Sequence, residues 1–163
     1  MLTVTLEGDA DLARRLDGAT AAARAAVADA SAALADQLYA LVEAKLSGEV
    51  LQSRTGALAA SVEVEGPALA DAGVLTSVSA GTRYAAIQEY GGVTAPHDIL
   101  PSRARALAFV MGGRQVFAAR VHHPGSHIPE RSYLRASLAE MAPAIEAGMR
   151  AAVLGALRGT LGA

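Results

Sequence analysis

The sequence predicts an α+β domain: a four- or five-stranded antiparallel sheet packed by a long N-terminal helix and a C-terminal helix. Three observations lead there. A Pro-free, Ala-rich run from Asp9 to about Ser47 carries apolar residues at three- and four-residue steps. The middle of the chain alternates apolar and polar residues in short stretches broken by Gly and Pro. A second helical pattern opens at Ser132 and continues to about Leu157.

Leu2 to Leu6 read Leu, Thr, Val, Thr, Leu, the period-two pattern of a short strand with one buried face. Asp9 caps the first helix, whose stripe runs through Leu12, Leu16, Ala19, Ala23, Val27, Ala30, Leu34, Leu38, Leu41 and Lys45. At ~1.5 Å per residue such a helix is on the order of 55 Å long, more than a domain of this size covers, so part of the stripe is expected to await a partner. Asp17-Gly18 is where it would divide, since Gly costs ~1 kcal/mol relative to Ala inside a helix. Ser47-Gly48 ends it. Ser53 to Gly56 form a polar loop, and Thr55 caps a single turn over Ala57 to Ser61.

Val62 to Gly66 then alternate as a strand, Pro67 to Gly73 turn the chain, and Val74 to Ala80 return as the second arm of a hairpin. Gly81-Thr82-Arg83 cap a short helix over Tyr84 to Tyr90, stopped by Gly91-Gly92. Val93 to Arg105, with Pro96 and Pro101, read as a loop. The clearest hairpin follows: Ala106 to Met111, Gly112-Gly113, then Arg114 to Val121, where two successive glycines suit the positive φ angles of a type I′ turn. His122 to Glu130 form a second irregular loop, and Pro143 is expected to kink the last helix. The organisation is one domain over residues 1–163, with strand and long helix in 1–48, sheet in 55–121 around a short helix at 83–91, and the C-terminal helix in 131–158.

A length of 163 residues suits one domain of ordinary size. With no Cys there is no disulfide, thiolate nucleophile or Cys-ligated zinc. The N-terminus lacks a basic segment ahead of an apolar one, and no stretch reaches the ~18 uninterrupted apolar residues of a membrane span, so a soluble protein used without secretion is expected. Charge is unevenly spread. Residues 1–82 carry five basic and eleven acidic side chains (−6), residues 83–135 carry seven Arg against Glu89, Asp98 and Glu130 (+4), and the rest balance. Thirteen of the fourteen basic residues are Arg, a side chain suited to bidentate contacts at protein interfaces; codon usage in a GC-rich genome would enrich it equally.

The residues offer three chemistries. His97, His122, His123 and His127 lie in the two irregular loops, and His97, His123 and His127 are the set a metal would need, although Pro124-Gly125 prevent helical spacing. Arg103, Arg105, Arg114 and Arg120 cluster on the hairpin and the loop before it, which suits nucleic acid, while an acidic chain argues against it. No nucleophile or phosphate loop stands in a recognisable setting, so no catalysis is expected. Tyr84, Tyr90 and Tyr133 suit core packing first and interface anchoring second; Arg131, Tyr133 and Arg135 form the sharper interface group.

Two runs carry a resemblance. Ser53-Arg54-Thr55-Gly56-Ala57-Leu58-Ala59-Ala60-Ser61-Val62, followed by Val78 to Gly92 with Gly81-Thr82-Arg83-Tyr84-Ala85 and Glu89-Tyr90-Gly91, is the first. Ile99-Leu100-Pro101, Arg105-Ala106-Leu107-Ala108-Phe109, His123-Pro124-Gly125 and Arg131-Ser132-Tyr133-Leu134 make the second. In order and spacing, over about residues 50–138, they resemble the signature of tailed-bacteriophage neck and tail-completion proteins. Ser132 stands where that family usually has Pro, which loosens the start of the last helix, and Arg105 where Lys is common.

The resemblance implies a virion structural protein without catalysis or cofactor. It would be assembled in the host cytoplasm and placed at the head–tail joint, in a homo-oligomeric ring contacting a portal-side adaptor or stopper, the tail tube or the tail terminator. A tail-terminator ring capping the tube is the nearest alternative, and a small DNA-contacting module the alternative of another class. Membrane contact is not expected. The expected interface positions are Arg54, Thr55, Gly56, Tyr84, Glu89, Tyr90, Arg103, Arg105, His122, His123, Arg131, Tyr133 and Arg135.

Overall fold

The computed structural model describes residues 9–51, 55–70 and 73–161, so the strand expected over Leu2 to Leu6 and the interface candidate Arg54 lie outside the described residues. The chain divides into two compact units, Met1–Ala85 with Ser132–Ala163, and Ala86–Arg131.

The first unit is framed by two helices, α1 (Asp9–Ala44) and α3 (Leu134–Leu161). Gly18 does not divide α1: an Ala-rich helix absorbs one glycine, and the open position lies near Thr160, 3.9 Å from where a Cβ would stand. The pair runs antiparallel. Gly18 lies beside Thr160, Leu34 beside Gly148, and Lys45 Nζ contacts Glu140 Oε2 at 2.9 Å. At Gly148 a Cβ would sit 3.2 Å from Leu34 Cδ1, so glycine there lets the helices approach closely. Among the described residues α1 is also the one helix that by length and composition would suit a membrane, an effect of its alanines. Here it packs along α3 and both strands of the adjoining ribbon.

At its C-terminal end α1 widens into a π-helical turn over Lys45–Glu49, closed by Gly48 at φ +135°. The Lys45 carbonyl there accepts from both Val50 N–H (3.0 Å) and Leu51 N–H (3.1 Å). A single 3₁₀ turn, Ala59–Ser61, leads into the ribbon of β1 (Val62–Ala70) and β2 (Gly73–Ala80). Its register pairs Val62 with Ala80, Val64 with Val78 and Leu69 with Val74 on the face toward α1. Glu63 with Ser79, Glu65 with Ser77 and Ala68 with Leu75 alternate onto the other face. Pro67 was expected in the turn, yet β1 continues through it to Ala70. A bulge between Glu65 and Ala68 accommodates Pro67, which has no N–H to give the ladder, beside Gly66 at φ +101°. The Gly66–Pro67 peptide is cis.

The core of this unit gathers Val42 and Leu46 of α1, Leu51, Val62 of β1 and Tyr133, with Leu38, Leu58, Val78 and Leu134 packed around them. Helix α3 starts at Leu134 and continues past Pro143 to Leu161. Ser132 does not loosen its start: its Oγ accepts the Ala136 N–H at 3.3 Å. Inside the first turn Ser137, fully buried, donates its hydroxyl to the Tyr133 carbonyl at 2.6 Å.

The second unit opens within the short helix α2 (Ala85–Tyr90), whose N-terminus is tied by Ala85 N–H donating to the Thr82 carbonyl at 3.0 Å. The two stretches read as loops in fact pair with one another. Strand β3 (Gly92–Val93) pairs with β8 (His127–Ile128), and β4 (His97–Ile99) with β7 (Val121–His123). Between them β5 (Leu107–Met111) and β6 (Arg114–Ala118) form the expected hairpin, turning on Gly112 and Gly113 at φ +60° and +78°. Val121 belongs to β7 and not to the hairpin arm.

The fold class is therefore mixed helix and sheet with the two expected long helices, but in place of a single four- or five-stranded sheet the described residues form four separate two-stranded ladders. Proline explains part of this. Pro96, Pro101, Pro124 and Pro129 flank the short strands and cannot donate to a ladder, so β3, β4, β7 and β8 stop at two or three residues. The β1–β2 ribbon, with Glu63, Glu65, Ser77 and Ser79 outward, has one face on α1 and, among the described residues, no further strand beside it.

Candidate interaction surface

The pairing of β4 with β7 decides what the histidines can do. Cross-strand partners are His97 with His123, Asp98 with His122 and Ile99 with Val121, so His122 and His123 point to opposite faces. On one face the His97 and His123 rings stack with centroids 5.1 Å apart. His123 Nδ1 accepts the Gly125 N–H at 3.0 Å, which puts the proton of its neutral ring on Nε2. On the other face His122 Nδ1 lies 3.0 Å from Asp98 Oδ1 and Arg120 lies 3.5 Å from Asp98 Oδ2, an exposed trio of the kind worth ~0–1 kcal/mol. His127 belongs to the β3–β8 ladder, opposite Val93. The triple-histidine metal arrangement is thus not assembled, and among the described residues no group of three or more His, Cys, Asp or Glu is placed to hold a metal ion.

The motif glycines hold this unit by close approach. At Gly91 (φ +69°) a Cβ would stand 2.7 Å from the Glu130 nitrogen, and at Gly125 (φ +91°) it would collide with the Thr94 carbonyl oxygen. Thr94 N–H and Ser126 carbonyl join at 2.9 Å, and Ser126 N–H returns to Thr94 Oγ1 at 2.8 Å. Arg131 N–H donates to the Gln88 carbonyl at 3.0 Å, closing the unit where the chain leaves it.

The β5–β6 hairpin carries apolar side chains on both faces. Leu107, Phe109, Val116 and Ala118 share the half-buried face. With Ile99 and Val121 of the β4–β7 ladder, Leu107, Ala108 and Phe109 line a groove of about 270 Å³. The opposite face shows Ala108, Val110, Gln115 and Phe117, with Val110 72% and Phe117 66% exposed. Arg103, Arg105, Arg114 and Arg120 are all exposed; Arg114, opposite Met111, belongs to the Phe109 face, Arg120 meets Asp98, and residues 99–129 contain no Asp or Glu. In the first unit a groove of about 370 Å³ is lined by Thr20, Ala23, Arg24, Val27, Leu69, Gly73, Val74 and Leu157. Neither groove is lined by a carboxylate or an imidazole.

The expected interface residues among the described ones fall into three groups. Thr55, Tyr84, Tyr90, Arg103, Arg105, His122, Arg131 and Arg135 are exposed, Tyr90 strongly so; Gly56 and His123 are half-buried. Glu89 and Tyr133 are buried, Tyr133 completely, so they hold the fold and present nothing to a partner. Core packing, expected for all three tyrosines, thus holds for Tyr133 and not for Tyr84 or Tyr90. Sequence reasoning passed over the outward Val110, Phe117 and Leu75. The signal was present: Ala106 to Met111 is six apolar residues without alternation, the pattern of a strand apolar on both faces.

No known protein family, curated protein or solved structure matches the chain.

Proposed function

We propose that this chain is a structural protein of a tailed phage or prophage, a neck or tail-completion component that acts at the head–tail joint by assembling into a ring against the connector or tail tube. The observation that carries the reading is the ordered motif run over residues 53–134, whose members have geometric work to do. Thr82 ties the N-terminus of α2, Glu89 is buried, and Gly91 and Gly125 stand where any side chain would strike backbone. A run kept for architecture is what a fold shared among assembly proteins would leave. The exposed apolar side chains Val110 and Phe117, in a segment of exposed arginines, suit docking to another protein.

The test is electron microscopy of lysates from a phage or prophage in which the gene is stopped at Tyr39. Filled heads beside unattached tails are the expected result, and overlong tails would select the terminator role over a head-side one. Intact, infectious particles would overturn the proposal. The acid-free Arg run favours one other reading, a DNA-contacting module, for which retention on DNA should fall steeply with salt.

A further inference from the structure

Among the described residues, the edge of β2 that faces away from β1 lies open beside a trough. Gly81 N–H donates to the Ser61 carbonyl at 3.0 Å, and the Leu75 carbonyl oxygen stands 2.6 Å from where a Gly66 Cβ would be. The odd-numbered residues of β2 therefore turn their backbone groups toward β1. By alternation Val74, Thr76 and Val78 turn N–H and C=O the other way, where the described residues hold no strand to receive them. Their half-buried side chains point to α1, and Thr76 Oγ1 meets Ser31 Oγ at 2.5 Å. Helix α1 floors the trough through Leu34, Ala35 and Leu38, and Ile145 and Met149 of α3 form its far wall, enclosing about 250 Å³. Both β2 and α3 pack along α1, and hardly on each other. At Val74 the trough joins the groove of Thr20, Arg24 and Val27. From Thr20 to Leu38 the floor is about 27 Å long at ~1.5 Å per residue, room for about eight residues of extended chain. Strand β1 carries the bulge at Gly66–Pro67 and the charges of Glu63 and Glu65, devices that discourage further pairing, whereas residues 73–80 contain no proline and no charge.

We propose that the trough takes an extended segment of another protein, added to the ribbon as a third strand beside β2. The segment is antiparallel to β2, apolar at alternate positions and acidic at its C-terminal end. Three observations select that chemistry. The outward backbone groups of Val74, Thr76 and Val78 are met by an extended chain and by no other ligand of this length. Every second side chain of such a strand drops toward Leu34, Ala35 and Leu38, which suit apolar groups, while those between face solvent. Antiparallel pairing, the more stable kind, runs the segment from Val78 toward Val74 and brings its C-terminal end to Arg24. Among the described residues Arg24 is the one charged side chain lining either hollow, and it is exposed and without an ion pair. A long-chain carboxylate could meet Arg24 as well, but it would leave the backbone groups of β2 unpaired, which makes it the weaker occupant. The site is independent of the phage reading, since it asks only that a partner bring an extended segment.

The experiment titrates the purified full chain with a fluorescein-labelled, C-terminally amidated peptide, Ser-Val-Ser-Val-Ser-Val-Ser-Glu, and reads anisotropy together with amide hydrogen exchange. Saturable binding is expected, with exchange slowed at Val74, Thr76 and Val78 and little changed at Leu75 and Ser77, whose amides already serve β1. Arg24→Glu, an exposed position, should weaken binding about tenfold with circular dichroism and the thermal midpoint as in wild type, and a peptide ending in lysine should restore it. Val74→Pro, which removes one outward N–H and leaves the β1 ladder its own, should also weaken binding about tenfold. Absence of binding up to millimolar peptide, edge amides already protected in the free chain, or protection falling on β5–β6 instead would each overturn the proposal. So would the same three amides slowing with dodecanoate and not with peptide, or slowing on concentration of the chain alone, which would make the occupant a lipid-like anion or a second copy. Either result leaves the particle experiment to judge the phage reading by itself.

Discussion

The two units solve the same problem with different means. The helical unit buries Val42, Leu46 and Tyr133 completely and adds Leu51 and Val62. In residues 86–131 the one buried side chain is a carboxylate, that of Glu89, and every aromatic and aliphatic side chain keeps some exposure. A fully buried Leu, Val or Phe is worth ~1.5–3 kcal/mol, so the first unit draws its stability from side chains. The second draws on short ladders and on glycines that let backbone meet backbone, a slender basis for a segment this short. Apolar surface left uncovered in such a unit is surface available to a partner.

Substitutions can break or sharpen that contrast. The largest effect is expected for Tyr133→Ala, a loss of about 3–5 kcal/mol in urea unfolding, where truncating an exposed ring of the second unit, Phe117→Ala, should change stability by less than about 0.5 kcal/mol. Equal losses would mean that the hairpin packs more than its exposure shows. Next comes Gly125→Ala, which puts a methyl group against the Thr94 carbonyl oxygen at positive φ and should cost about 1–3 kcal/mol. Hydrogen exchange should then show lost protection in β3, β4, β7 and β8 with α1 and α3 unchanged, and a uniform loss across all elements would erase the distinction between the units. Ser137→Ala, which deletes a buried hydroxyl donor, should cost about 1 kcal/mol in the same unfolding assay. Smallest is Lys45→Met, where the half-exposed pair with Glu140 is worth at most about 1 kcal/mol, a difference that high salt should abolish.

The same contrast governs what could be read from the sequence. Helices α1 and α3 announce themselves because a repeating stripe of Leu, Val and Ala over many turns has one explanation, and the Gly112-Gly113 hairpin because two glycines at a two-residue turn have one geometry. Ladders of two or three residues carry no period, so β3, β4, β7 and β8 looked like loops, and their partners are tens of residues away. The single sheet was inferred from strand count alone, whereas strands join only when their edges are free and their registers agree. At the candidate surface, Arg and Tyr were legible by type, but type does not give burial: Tyr133 and Tyr90 look alike in sequence and lie at opposite extremes of exposure.

The antiparallel helix pair sets the order in which the chain can fold. Lys45 and Glu140 meet across 95 residues, so the helices pack together only by closing a loop that includes the ribbon and the whole second unit in sequence. Closing a loop of that length costs about 4 kcal/mol of chain entropy beyond a constant term, before any helix–helix contact repays it. A molecule that is half helix should therefore refold at the pace of a non-local β protein, in milliseconds to seconds, and not in the microseconds typical of helical bundles. Each newly made copy would then pass through an interval in which its β1–β2 ribbon is exposed before α1, which packs along it, has met α3.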